Sequence, residues 1–73
     1  MRIAVCDKDS AQVERIIEMI QRMKLASQCD AYFNPHKIVE VVENGLDYDI
    51  ILINIHWDTA FNGMKAAEQI SRL

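Results

Sequence analysis

The residues that could do chemistry in this 73-residue chain fall in two short segments. Asp7, Lys8 and Asp9 stand together near the start, and Asn54, His56 and Asp58 follow an apolar run further on. Carboxylates are the ligands that Mg²⁺ and Ca²⁺ prefer, and imidazoles bind transition metals. His56 and Asp58, with His36 far away in sequence, make only a weak metal pattern, because tight metal sites need three or four convergent ligands.

The sulfur-containing side chains do not add a site. Cys6 and Cys29 each lie in an apolar segment, so we expect reduced thiols in a packed interior rather than a disulfide framework. Met19, Met23 and Met64 are expected to fill the core or its margin.

Composition limits the class of protein. Hydrophobic residues make up 51% of the chain and charged residues 26%, which is typical of a globular domain. The net charge of −3, without a lysine or arginine run, argues against direct binding to nucleic acid. No purely apolar run is longer than the four residues of Ile50–Ile53, which is too short to cross a bilayer. Arg2 leads straight into a strand-like run rather than a signal peptide, so the sequence predicts a cytoplasmic protein.

Strand and helix patterns alternate along the chain. Residues 2–6 are a short β-rich run, and the next apolar residues recur at helical spacing: Val13, Ile16, Ile17, Ile20 and Met23. Asp9 and Gln12 resemble a capping box at the start of that helix. Residues 29–33 predict a second strand, with Cys29, Ala31 and Phe33 on one face.

The second half repeats the alternation. Residues 38–42 are β-branched at four of five positions, but the capping pair Asn34-Pro35 before them and Gly45 after them favour a helix. Residues 48–55 predict a third strand, and the lack of alternation in Ile50–Ile53 indicates a strand covered on both faces. After a loop at residues 56–62, a third helix is predicted from Met64, Ala67, Ile70 and Leu73.

The resulting β-α-β-α-β-α order predicts one α/β domain over residues 1–73, with a parallel sheet and right-handed crossovers. Functional crevices in such sheets lie beyond the carboxyl ends of the strands, which here means residues 7–9 and 54–58. A dinucleotide-binding fold is disfavoured because no glycine follows the first strand. A small enzyme is disfavoured because the chain has no nucleophile–base pair, metal cluster or phosphate loop.

Five segments stand out when the chain is compared with known domains: RIAVCD at 2–7, KDSAQ at 8–12, YDIILI at 48–53, NG at 62–63 and AAEQI at 66–70. In this order and spacing they resemble the receiver domains of response regulators, in particular those that precede LytTR-type DNA-binding domains. The resemblance covers the first three of the family's five βα units. It implies a CheY-like, flavodoxin-type half fold with the strand order 2-1-3. It also implies a role in two-component signalling, with another receiver or a histidine kinase as a possible partner.

In that family an aspartate at the end of the third strand accepts a phosphoryl group, and Mg²⁺ bridges it to two acidic residues after the first strand. Here Asn54 occupies the phosphoacceptor position. Asp7 matches the first acidic position, but Lys8 replaces the second. The segment from Asn54 to Gly63 is one residue longer than in the family, with residues 57–60 in place of its common Met-Pro. The family's hydroxyl residue and lysine belong to the fourth and fifth strands, beyond the matched units. The comparison implies a phosphorylation-incompetent, non-enzymatic receiver-like module without bound Mg²⁺.

Two sharper hypotheses concern this crevice. The Lys8 ammonium could take the place of the metal and hold the site in one state. Alternatively, phosphate acceptance could have moved to Asp58 in the loop. Trp57 is a plausible contact residue at the mouth of the crevice, since aromatic side chains anchor interfaces.

A half receiver also predicts self-association. Its third strand would form an open apolar edge, and such edges pair with other chains. We expect a homodimer, formed by antiparallel pairing of the third strands or by exchange of helices, with an edge made of Ile50, Ile51, Leu52, Ile53 and Ile55. The alternative interpretation is that the chain is the N-terminal fragment of a longer LytTR-type transcriptional regulator.

Overall fold

In the computed structural model, residues 1–54, 57 and 61–73 are described. The chain forms three strands and three helices in strict alternation. The elements are β1 (Arg2–Cys6), α1 (Ser10–Arg22), β2 (Gln28–Tyr32), α2 (Pro35–Glu43), β3 (Ile50–Ile53) and α3 (Gly63–Ser71). The predicted element order is confirmed. The second strand begins and ends one residue earlier than predicted, so Phe33 lies outside it and is exposed.

Each helix begins at a side chain that accepts backbone N–H groups. Asp9 accepts from Ala11 and Gln12 at the start of α1, Asn34 accepts from the second residue of α2, and Asn62 accepts at α3. The capping box predicted at α1 is only half present. The backbone N–H of Asp9 donates to the Asp7 carboxylate at 3.1 Å, and this bond takes the role expected of the Gln12 side chain.

The first two helices end in the same way. After α2, the N–H of Gly45 donates to Val42 and that of Leu46 donates to Val41, the bonding pattern of a Schellman motif. Gly45 has φ +96°, as predicted for a glycine stop. After α1 the same pattern forms around Lys24, whose φ is 55°. A side chain in this left-handed region costs about 1 kcal/mol.

The strands form a parallel sheet in the order β2-β1-β3. Arg2 pairs with Gln28 at the start of the β1–β2 ladder, and Ile3 pairs with Ile50 at the start of the β1–β3 ladder. This arrangement confirms the predicted α/β fold with a three-stranded parallel sheet in the order 2-1-3.

The sheet has a different core on each face. On one face Ile3 and Val5 pack against Val13 and Ile20 of α1. On the other, Ala4 and Cys6 pack against Ile38 of α2, and Ile70 of α3 lies at the margin of the same cluster. One helix therefore covers the first face, whereas two helices cover the second.

This unequal coverage corrects the prediction for the third strand. β3 is an edge of the sheet, as the predicted order 2-1-3 requires, but its apolar run also indicated a strand buried on both faces. Ile51 and Ile53 are half-buried against the second core, whereas Ile50 and Leu52 are 41% and 43% exposed. The reason is that α1 packs mainly on β1 and β2.

The methionines are also placed differently from the prediction. Met19, Met23 and Met64 were expected in or near the core, but they are 55%, 59% and 52% exposed. The apolar residues that turn toward the sheet from α1 are isoleucine and valine, which leaves Met19 and Met23 on its flank, and Met64 is exposed on α3. In the described part of the chain, no helix has the length and apolar character needed to cross a bilayer.

Candidate functional site

The candidate site lies at the carboxyl ends of β1 and β3, which is the topological switch point of this sheet. Two backbone bonds fix this edge. The N–H of Asn54 donates to the carbonyl of Cys6, and the N–H of Asp7 donates to the carbonyl of Tyr32. Since Cys6 is paired with Ile53, the residues that follow the two strands leave the sheet side by side.

A groove of about 460 Å³ opens between α1 and β3 at this edge. Asp7 and Asn54 line its polar end, and Gln12, Ile16 and Leu52 line its sides. The structure thus brings the predicted acidic position and the predicted phosphoacceptor position to one groove. Its walls are mostly apolar.

The Asp7 carboxylate already has a structural role. Its Oδ1 accepts the N–H of Asp9, and Asp9 in turn caps α1. The next residue is Lys8, whose ammonium opposes a divalent cation electrostatically. Within the described residues, no group of three or more His, Cys, Asp or Glu side chains is arranged to hold a metal ion. The donors around Asp7 therefore do not fit the Mg²⁺ that the receiver resemblance implies.

Asn54 is half-buried at the end of β3. Its carbonyl oxygen accepts a hydrogen bond from the indole N–H of Trp57, which places Trp57 over the strand end and against the α2 side of the core. Gly63, the first residue of α3, packs directly against the same backbone. A Cβ added to Gly63 would overlap the Asn54 carbonyl oxygen and lie 2.7 Å from Cγ2 of Ile53.

Cys6 lines this groove and could act as a nucleophile, but it is not activated. Burial, together with the Asp7 charge, raises the pKa of the thiol from 9.0 to about 11. At neutral pH the group is a neutral thiol, and only the thiolate attacks or binds metal. Cys6 is buried as predicted, whereas Cys29 is only half-buried.

A polar cluster that the sequence did not predict lies on the α2 face of the sheet. The Tyr48 hydroxyl donates to Asp30 at 2.6 Å, and the Tyr32 hydroxyl lies 2.5 Å from that of Tyr48. Because the single Tyr48 proton goes to Asp30, Tyr32 is the donor in the second bond. The Arg2 guanidinium lies over the Tyr48 ring, 5.5 Å from its centroid, and its Nε is 3.6 Å from Asp30, at ion-pair rather than hydrogen-bond distance.

The electrostatics of this cluster favour a charged Asp30 and a neutral Tyr48. The hydrogen bond from Tyr48 lowers the pKa of Asp30, and a hydrogen bond from Gln28 and the positive charge of Arg2 add to the effect. Burial is the main cause that raises the pKa of Tyr48, followed by its bonds to Asp30 and Tyr32. The cluster ties β2 to the segment before β3. Only the alternation of Asp30 and Tyr32 along β2 could have indicated it in the sequence.

Of the remaining predicted site residues, His36 is the one within the described part of the chain. His36 is exposed in the first turn of α2, and its ring stacks on Phe61 with 4.0 Å between centroids. Ile55, His56 and Asp58 lie outside the described residues, so the phosphoacceptor proposed at Asp58 and the last position of the dimer edge stay predictions. Comparison of the chain with protein-family models, with curated proteins and with solved structures gives no match.

Proposed function

We propose that this chain is a receiver-like signalling module that does not accept phosphate and acts through protein–protein contacts. The single observation that carries the proposal is the composition of the groove at the switch point. Its polar end holds one carboxylate, which is already hydrogen-bonded, and one amide. A phosphoacceptor site needs an attacking carboxylate and a cation-binding pair of acids.

The fold supports the receiver part of the proposal. The strand order β2-β1-β3 puts the ends of β1 and β3 next to each other, as the receiver resemblance requires. Asp7 and Asn54 stand at those two ends. Of these two positions, Asp7 keeps the acidic group that the family uses, whereas Asn54 has an amide in place of the phosphoacceptor carboxylate.

Asn54 and Lys8 oppose the phosphotransfer reaction in two ways, one at the nucleophile and one at the cation. In that reaction a carboxylate oxygen attacks phosphorus, and the bond from phosphorus to the donor's leaving group breaks. An amide is too weak a nucleophile to replace the carboxylate, so Asn54 does not make the new bond. An ammonium at Lys8 repels the cation that would neutralise the approaching oxygens. That the ammonium itself takes the cation's position stays a prediction.

The contact part of the proposal follows from the uncovered apolar side chains of β3. Ile50 and Leu52 are more than two-fifths exposed, next to a groove with largely apolar walls. Contiguous exposed apolar surface on a small domain marks an interaction site more often than a solvated one.

The test is incubation with acetyl phosphate and Mg²⁺, followed by intact-mass measurement. The wild-type chain is expected to show no labile phosphoryl adduct. The double variant Lys8→Asp, Asn54→Asp restores the two missing carboxylates and should gain Mg²⁺ binding. A separate Mg²⁺ titration of this variant tests whether the groove can hold the cation once both carboxylates are present. A labile adduct on the wild-type chain that disappears in Asp58→Ala would contradict the proposal and identify the loop carboxylate as the acceptor.

A further inference from the structure

The surface beside α1 has the shape of a step. α1 packs on β1 and β2 and forms a raised ridge, and the outer face of β3 forms a lower floor next to it. Ile50 and Leu52 project from this floor and are 41% and 43% exposed. A helix lies roughly 10 Å above the sheet that it covers, so the step is about one helix deep.

The flank of α1 above the floor is apolar. Gln12 and Ile16 line the groove against β3, and Met19 and Met23 follow them at spacings of three and four residues, on the same flank. Met19 and Met23 are 55% and 59% exposed. Spacing of four, three and four residues is the pattern with which two helices pack side by side.

The opposite flank of the same helix is polar. It carries Glu14, Glu18 and Gln21, which surround Ile17. Besides the residues that pack on the sheet, α1 therefore has a second apolar stripe, formed by Ile16, Met19 and Met23. This stripe lies on the flank that faces β3.

The two margins of the step carry opposite charge. Arg15 and Arg22 are exposed along the crest of the ridge, one turn away from Met19 on either side. Asp47 and Asp49 are exposed where the chain enters β3. The last turn of α1 lies near the end of the sheet where β1 and β3 begin. The evidence is that Ser27, shortly after α1, donates its N–H to the carbonyl of Met1. Arg22 and the two aspartates are therefore at one end of the step.

We propose that the step is the binding surface for a second copy of this chain. A two-fold axis that runs along the step places the ridge of each copy on the floor of the other. Met19 and Met23 then cover Ile50 and Leu52 of the second copy, and Arg22 meets its acidic entry to β3, each contact occurring twice as two-fold symmetry requires.

Charge selects this arrangement over its alternatives. A two-fold axis across the step would set one arginine-bearing ridge against the other, which opposes like charges. Antiparallel pairing of the β3 edges would satisfy backbone groups but leave the apolar flank of α1 in solvent. A partner with a different surface would have to reproduce both the step and the reversed charges, whereas a second copy carries both.

The area of the step sets the expected affinity. Four exposed apolar side chains and the half-buried Ile16 are fewer residues than a standard interface uses, which buries about 800 Å² per partner. We therefore expect an interface at the small end, below about 1,200 Å² in total, and a reversible dimer. This inference deepens the proposed function by naming a partner.

The experiment is sedimentation equilibrium of the full chain over a wide range of concentration. The wild-type mass should rise from monomer to dimer. Met19→Glu should shift the midpoint at least tenfold toward higher concentration. The matched control Gln21→Glu adds the same charge on the opposite flank and should leave the midpoint unchanged. Arg22→Asp should weaken the dimer, and adding Asp47→Arg to the same chain should restore it.

Oxidative cross-linking distinguishes the geometry. Parallel ridges place Gln12 of each copy close to its symmetry mate, so Gln12→Cys should form an intermolecular disulfide and Gln21→Cys should not. A monomeric wild-type chain, a dimer equally sensitive to both glutamate variants, or cross-linking only through Gln21→Cys would overturn the inference. The phosphodonor experiment does not depend on any of these three outcomes. The proposed dimer can therefore be refuted while the proposed inability to accept phosphate stands.

Discussion

Gly63→Ala is expected to be the more destabilising of the two glycine-to-alanine changes that the chain allows. Gly63 opens α3 and is buried directly on the backbone at the end of β3. The added Cβ would overlap the Asn54 carbonyl oxygen and lie 2.7 Å from Ile53 Cγ2 and 2.8 Å from the Asn54 carbonyl carbon. Two of these three atoms belong to the backbone and cannot rotate away, so α3 or β3 must move.

The magnitude follows from the nature of the overlap. Overpacking a well-filled site costs about 1–3 kcal/mol, and rigid backbone neighbours put this case at the upper end, about 3 kcal/mol. For a domain of this size each kcal/mol lowers the melting temperature by about 4–8 °C, which gives a fall of about 12–24 °C. Gly45→Ala is the matched comparison. Nothing lies within 4 Å of its added Cβ, but its φ is +96°. Backbone strain alone there costs about 1 kcal/mol.

The assay is urea unfolding of the three chains followed by fluorescence. Trp57 is the single tryptophan, and its indole is bonded to Asn54, so its emission reports on the strand end that Gly63 contacts. We expect the ranking wild type, then Gly45→Ala, then Gly63→Ala, and a changed native emission only in the last. Equal or greater loss of stability in Gly45→Ala would refute the close packing of α3 on the end of β3.

Three further outcomes follow from the structure. Lys24→Gly should stabilise the fold by about 1 kcal/mol in urea unfolding, because it relieves a side chain at φ 55°; a destabilised variant would contradict the Schellman ending of α1. Tyr48→Phe should cost about 1 kcal/mol at neutral pH, since it removes the bond to Asp30. The folded pKa of Asp30 is lowered from 3.8, so this contribution is present above that value and is lost as the pH falls through the folded pKa. The cost should therefore shrink in unfolding curves measured in acid, and a constant cost would argue against the charged partner. Iodoacetamide at mildly alkaline pH should label Cys29 before Cys6 in the native chain, as measured by peptide mass. The reason is that burial raises the pKa of the Cys6 thiol to about 11, and only the thiolate reacts. Faster labelling of Cys6 would contradict the burial of its thiol.

Local structure could be predicted from local residues. Asp9, Asn34 and Gly45 each fix a helix end by bonds to neighbours within a few positions, and all three act as expected. Alternation of strand and helix periods then leaves a parallel sheet as the only simple arrangement. The order β2-β1-β3 came from the receiver resemblance rather than from periodicity.

Coverage of the sheet could not be predicted in the same way. The run Ile50–Ile53 indicated two buried faces, yet whether a strand is covered depends on where the helices before and after it pack. Here α1 occupies the space over β1 and β2, which exposes Leu52. The exposure of Met19 has the same origin, because a helix packed on one side of a sheet leaves a flank that periodicity alone assigns to the interior.

The candidate site was predicted in position but not in its connections. Asp7 and Asn54 meet at one groove as the sheet topology requires. The bond from Asp9 to Asp7, and the cluster of Arg2, Asp30 and Tyr48, depend on side-chain geometry that spacing does not encode.

The most direct test of the proposed function is a Mg²⁺ titration followed by the backbone amide resonances of Asp7 and Asn54, which lie at the ends of β1 and β3. The wild-type chain is expected to show no saturable shift at either residue up to millimolar Mg²⁺, while Lys8→Asp, which restores a carboxylate pair, shows one. Saturable millimolar binding at Asp7 in the wild-type chain would contradict the account, because the groove would then hold the cation that phosphate acceptance requires.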